Sequence, residues 1–167
     1  MAERTARDIR WRGGYDRAML LAQSGDSLEI YHPLLQRLLE LWHVKRGQRP
    51  MPARADFDVL ELRDWLGNLM LLDVLEGATE FRYRLYGSVL ASYYGRDLTG
   101  RSTAALPPET RSIVCREYGE VCASRRPMMV ERKRSVRHSA RIVAKLILPL
   151  SRDDGDADML LIASYVL

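Results

Sequence analysis

The sequence predicts an α+β fold: one five-stranded antiparallel sheet with helices on one face, preceded by an N-terminal helical extension. Three observations predict it. Apolar residues over 32–46 recur at helical spacing, the period turns from helical to alternating after Gly67, and a helix-rich stretch over 88–127 separates two alternating runs from three more. At 167 residues the chain suits one such domain rather than two.

Residues 1–27 carry five Arg, the pair Gly13-Gly14 and the cluster Ser24-Gly25-Asp26-Ser27, which read as a polar leader with a short helix over Tyr15–Gln23. Residues 28–67 form the helical extension and its connector. Within them Leu34, Leu35, Leu38, Leu39, Leu41 and Trp42 follow helical spacing, and Gly47 stands where a C-terminal cap belongs. Pro50 and Pro52 then impose an irregular connector, because each excludes helix in the residue before it. A short helix is expected over Val59–Leu66, with Asp58 and Glu61 at capping-box spacing and Gly67 ending the run.

Residues 68–167 hold the sheet. Leu69–Glu76 and Phe81–Tyr86 read as a hairpin joined by Gly77–Glu80, with Phe81, Tyr83 and Leu85 alternating against Arg82, Arg84 and Tyr86. Ser88–Tyr94 and a longer helix starting at Pro107 or Pro108 flank the turn-rich Gly95–Gly100. Met128–Val136, Arg141–Leu150 and Ala157–Leu167 complete the strands, the last two joined across the acidic turn Asp153–Asp156. Their alternation is incomplete. Ile142, Ala144, Leu146 and Leu148 share one face, yet Val143 and Ile147 make the other apolar too, and the last strand behaves alike. An antiparallel sheet with two apolar faces needs a second cover. Leu34, Leu38, Leu41 and Trp42 offer an apolar stripe for it, so the 32–46 helix is expected to pack on the sheet or on a second subunit, in a homodimer.

Composition excludes several classes of function. Apolar residues make up 47% and charged residues 29%, which argues against disorder, and no apolar run approaches the roughly 18 residues of a membrane span. The first residues lack the apolar core of a secretory signal, so the cytoplasm is the expected compartment and no membrane partner is expected. Cys115 and Cys122 lie seven residues apart on a helix and read as buried free thiols. The net charge of +4 is uneven: residues 125–145 hold eight basic side chains against the single acid Glu131.

The run Phe81-Arg-Tyr-Arg-Leu-Tyr-Gly87, then Gly95-Arg-Asp-Leu-Thr-Gly-Arg101, then Leu148-Pro-Leu-Ser151 before an acidic turn, resembles a group of stand-alone bacterial PAS-domain proteins. Leu41-Trp42 and Arg49-Pro-Met-Pro-Ala-Arg-Ala-Asp56 are similar to the same group. The resemblance spans roughly residues 34–167. It implies a PAS-like sheet with helices over one face, and a role in sensing, ligand binding or protein association.

Cofactor chemistry finds no matching residues. His32, His43 and His138 all lie outside 88–127, where a haem-binding PAS domain presents its axial ligand, and neither Cys stands in the Asn-Cys-Arg motif of flavin photosensors. Two Cys without a neighbouring His do not make a zinc site, and Gly95–Gly100 lacks the Lys-Ser/Thr ending of a phosphate loop. No cofactor, no metal and no catalytic residue is expected. Arg84 is expected to pair with Asp97 and hold that turn against the sheet. Tyr83, Tyr86, Tyr94, Arg96, Tyr118 and Met128 fall on the elements that enclose a PAS cavity and are the expected ligand-binding residues, although aromatic and Met side chains also serve as ordinary core. The reading is a non-catalytic sensory or regulatory module that binds a small molecule or a signalling protein and acts through conformation or dimerisation. The alternative is a nucleic-acid or acidic-surface binder using 125–145, but alternating strands divide those charges between two faces.

Overall fold

The computed structural model describes residues 8–10, 17–21 and 32–167. Its strands are β1 (Asp8–Arg10), β2 (Arg17–Leu20), β3 (Leu69–Val74), β4 (Phe81–Tyr86), β5 (Met128–Val136), β6 (Ser139–Leu150) and β7 (Met159–Val166). They form one antiparallel sheet in the order β1-β2-β5-β6-β7-β3-β4. The last five are the five strands expected from the sequence. The first two extend the sheet beyond it: where a helix is expected over Tyr15–Gln23, Arg17–Leu20 instead pair with Met128–Glu131 along the edge of β5. Edge pairing supplies backbone hydrogen bonds that a short isolated helix would have to make alone, and here it overrides local propensity. The leader boundary at residue 27 and the Ser24–Ser27 cluster lie outside the described residues.

Among the described residues, three α-helices cover the sheet. They are α1 (Pro33–Arg46), α2 (Ser88–Tyr94) and α3 (Pro108–Ser124). In α1, Pro33 occupies the first turn, where its missing N–H costs nothing, and Gly47 ends the helix at φ 56°, a left-handed angle that favours glycine. Lys45 and Arg46 in the last turn complement the negative end of the helix dipole. None of the described helices is long and apolar enough to cross a membrane.

The two faces of the sheet bury separate cores. Leu160, Ile162, Met70, Leu72, Val130 and Ile147 meet α2 and α3 on one face. Ala144, Leu146, Leu148, Leu161 and Ala163 meet α1 on the other, where Leu35, Leu38, Leu39 and Trp42 are buried. Thus the second apolar face read from the strands finds its cover within the chain. The buried stripe is rotated from the expected one: Leu35 and Leu39 replace Leu34 and Leu41, which are only partly buried. Two indoles fix this rotation. Trp42 Nε1 donates to the Pro149 carbonyl of β6 at 2.9 Å, and Trp65 Nε1 donates to the Leu34 carbonyl at 2.7 Å.

The helix expected over Val59–Leu66 is instead a chain of turns closed by three- and four-residue bonds, ending in a 3-10 turn at Leu66–Asn68. Its capping residues do meet, with Asp58 N–H donating to Glu61 and Leu60 N–H donating to Asp58. Burial of Leu62 and Trp65 against α1, three residues apart, favours the tighter winding. At Gly87 the chain passes so close to Gly67 that an added Cβ would lie 2.3 Å from the Gly67 carbonyl oxygen. Gly87→Ala is therefore expected to cost about 1–3 kcal/mol, read from the urea unfolding midpoint, because backbone on both sides must shift.

Candidate ligand-binding cavity

A cavity of about 410 Å³ lies between the sheet and the α2–α3 layer. The sheet supplies its floor. Val130, Arg132 and Arg134 of β5, Val143 and Lys145 of β6, and Met70 and Ser164 face it, with the β5 and β6 residues spaced two apart along each strand, as a pleated strand dictates. The helical layer supplies the roof through Tyr94, Leu98, Leu106, Val114 and Tyr118.

A bulge decides the aromatic wall. In the β3–β4 pair Leu71 is opposite Leu85 but Leu72 is opposite Tyr83, so Arg84 is the extra residue. Beyond it the alternation reverses: Tyr86 joins Tyr83 on the cavity side, while Leu85 turns outward and is 37% exposed. The rings of Tyr83 and Tyr86 meet edge to face at 5.6 Å. Burial pushes the Tyr83 phenol up to about 12, and raises those of Tyr86, Tyr94 and Tyr118 as well. All four are neutral at physiological pH and can both donate and accept.

Beside these rings sits a buried ionic cluster. Glu117 projects from the stripe of α3 that also buries Val114, Tyr118 and Val121. Its carboxylate accepts from Lys145 Nζ at 2.7 Å and pairs with Arg132, and Lys145 also lies 5.2 Å over the Tyr118 ring. Burial alone would raise the Glu117 pKa. The two cations more than reverse this and hold it below the ordinary carboxylate value. For Lys145, burial lowers the pKa and Glu117 opposes the drop. Sequence reasoning placed none of these three at the site. A signal was present: Lys145 stands between Val143 and Ile147 on a face that is otherwise apolar, and a charge at such a position must meet a buried partner.

Of the expected ligand residues, Tyr83, Tyr86, Tyr94, Arg96 and Tyr118 line the cavity. Met128 does not; it packs in the core below it with Ile147 and Val121. The whole arrangement is a half-enclosed apolar chamber with phenols and cations at defined places in its wall, suited to binding and orienting a small molecule.

The family model for the PAS domain matches residues 30–163. The chain belongs to the PAS-domain family. No curated protein and no solved structure matches it. PAS domains are in general sensory or regulatory modules rather than enzymes, and the matched span here takes in α1, β3 to β6 and most of β7, leaving β1 and β2 outside it.

Other features of this PAS domain fall elsewhere. Arg84 does not pair with Asp97; it donates to Asp73 across the hairpin, while Asp97 accepts from the Thr99 N–H and hydroxyl and so shapes its own turn. His32 stacks on Tyr165, His43 meets Trp42 edge-on, and His138 lies in the β5–β6 turn. The basic stretch is divided. Arg132, Arg134 and Lys145 face the cavity, Arg125 pairs with Asp156, Arg126 donates to the Leu21 carbonyl, and Arg137 donates to Ser92 and stacks on Tyr93.

Proposed function

We propose that this PAS domain is a non-catalytic receptor for a small molecule, held in the cavity between the sheet and the α2–α3 layer, and that occupancy is passed through the sheet to α1. One observation carries this reading: a half-enclosed chamber of about 410 Å³ stays open between the sheet and the helical layer, walled by aromatic and aliphatic side chains with a few polar groups converging on it. A protein that only needed a core would have closed it, since interiors pack as densely as organic crystals.

Val114 distinguishes a receptor cavity from a void. Filling a void stabilises a fold, whereas filling a receptor site displaces what it binds. Val114→Trp is expected to keep the fold and to abolish binding of any compound found by native mass spectrometry of the purified protein or by thermal-shift screening of a fragment library. Failure to find any binder by either route, with Val114→Trp raising the melting temperature, would overturn the reading.

The output side is α1. Leu38 and Trp42 serve the sheet contact, so an interface with a signalling protein or a second copy would use the outer surface instead. Val44 is 76% exposed and Leu60 is 74% exposed, on two segments tied together by the Lys45–Glu61 ion pair. Pairing of two copies through this surface is the simplest output.

A further inference from the structure

We propose that the cavity selects a small organic acid, holding its anionic head on the cationic strip Lys145–Arg132–Arg134 and its apolar body against Tyr83, Tyr86 and Leu98. This rests on the reading that the cavity holds a small molecule, and it names the chemical class. The lining is asymmetric in charge. Among the described lining residues there are four cations, Arg96, Arg132, Arg134 and Lys145, and no Asp or Glu. The rest of the wall is aliphatic, aromatic and hydroxyl side chains with no counter-charge, and its partial enclosure limits the water that would screen their field.

Strand register makes three of these cations contiguous. Lys145 is opposite Val130 and Arg132 is opposite Val143, so Lys145 sits diagonally from Arg132, and Arg134 follows two residues on along the same face. The molecule itself shows what this strip accepts: the Glu117 carboxylate reaches it from α3 and takes contacts from both Lys145 and Arg132. An ammonium has three protons to donate, of which Glu117 takes one, and the Arg134 guanidinium presents a planar fork that matches a carboxylate. Arg96 lies on the far wall, near Tyr83 and Tyr86, and donates to the Ala105 carbonyl at the rim.

The rest of the chamber requires the acid to be organic. Met70, Leu98, Leu106, Val114, Val130 and Val143 offer contact area that a bare inorganic ion cannot cover. Three partly or fully buried phenols beside them suit a planar or aliphatic body with few hydroxyls of its own.

Calorimetric titration of the full chain tests this, with phenylacetate, octanoate, the amide of each, and inorganic phosphate as probes. At least one acid is expected to bind about ten-fold or more tightly than its own amide, the difference one charge-assisted contact makes. Arg134→Gln is expected to remove most of that preference while the circular dichroism spectrum is unchanged. Lys145→Met is the second variant, and Arg96→Gln, on the opposite wall, is expected to reduce the preference less than Arg134→Gln does. Amides that bind as well as their acids would leave the receptor reading standing and overturn the acid class. Binding of phosphate alone would overturn it in favour of an inorganic anion. Absence of binding by every probe, in a protein that also shows no binder in the fragment screen, would sink both.

Discussion

Leu38→Glu is expected to unfold the protein, and Leu41→Glu, three residues further along the same helix, to leave it folded. Leu38 is 0% exposed in the α1 core, so the substitution removes a buried aliphatic side chain and puts a carboxylate where the described neighbours are apolar. Such a change belongs to the rare class that costs more than about 4–5 kcal/mol, a large part of the roughly 5–15 kcal/mol that holds a domain together. Leu41 is only partly buried, its end can reach water, and about 1 kcal/mol is the expected cost. Urea titration followed by the fluorescence of buried Trp42 and Trp65 reads both variants. A folded, cooperative Leu38→Glu protein would mean that α1 is not the cover of the sheet.

Glu117→Ala is the second large effect. It leaves Lys145 and Arg132 facing each other without the carboxylate that both contact, and breaking a buried ionic group from one side typically costs about 3–5 kcal/mol. Because the penalty comes from the stranded cations, the double variant Glu117→Ala with Lys145→Met is expected to recover part of it, read as strong non-additivity in unfolding midpoints. The pH dependence has a definite sign. The folded pKa of Glu117 lies below its ordinary value of 4.5, so the carboxylate stabilises the fold at any pH above that value. This contribution is lost as pH falls from 4.5 through the folded pKa. Glu117→Gln is expected to reduce the slope of that limb, to which Asp56, Glu61, Asp97 and Asp153, whose pKa values are also lowered, still contribute. His32 and His43 contribute a separate fall below their ordinary 6.5, because burial lowers their pKa values and protonation favours the unfolded chain, and the substitution leaves that fall in place. An unchanged slope below 4.5 would refute the role of Glu117.

The elements most legible in the sequence are those whose local pattern and tertiary role agree. Met128–Val136 and Ser88–Tyr94 appear with the bounds that alternation and Gly punctuation imply. The doubly apolar runs of β6 and β7 likewise call for a second cover through their residues alone, and α1 provides it. What stays hidden depends on partners distant in sequence. Nothing in Arg17-Ala-Met-Leu20 marks an edge strand until β5 lies beside it. The β5–β6 turn has only two residues, Arg137 and His138, at φ 49° and 64°, where Asn-Gly is the usual signal. Its closing contacts are made by Arg137 with Ser92 and Tyr93 of α2, so the turn is stabilised from outside. Tyr86 reaches the cavity through a bulge at Arg84, although its parity in the strand points it away. The ionic cluster is half visible, as a lysine out of place on an apolar face, and its partner Glu117 can be found only once α3 is folded against β6.

The alternation of β6 has a consequence for how this chain can change over time. Val143 and Lys145 belong to the chamber, while Ala144 and Leu146 belong to the α1 core, and a single backbone carries both sets. A larger side chain on one side displaces a strand that is also the wall of the other. Neighbouring positions along β5 and β6 therefore cannot drift independently in sequence: a change that reshapes the chamber sets new volume requirements for Leu35, Leu39 and Trp42, on a helix across the sheet from it.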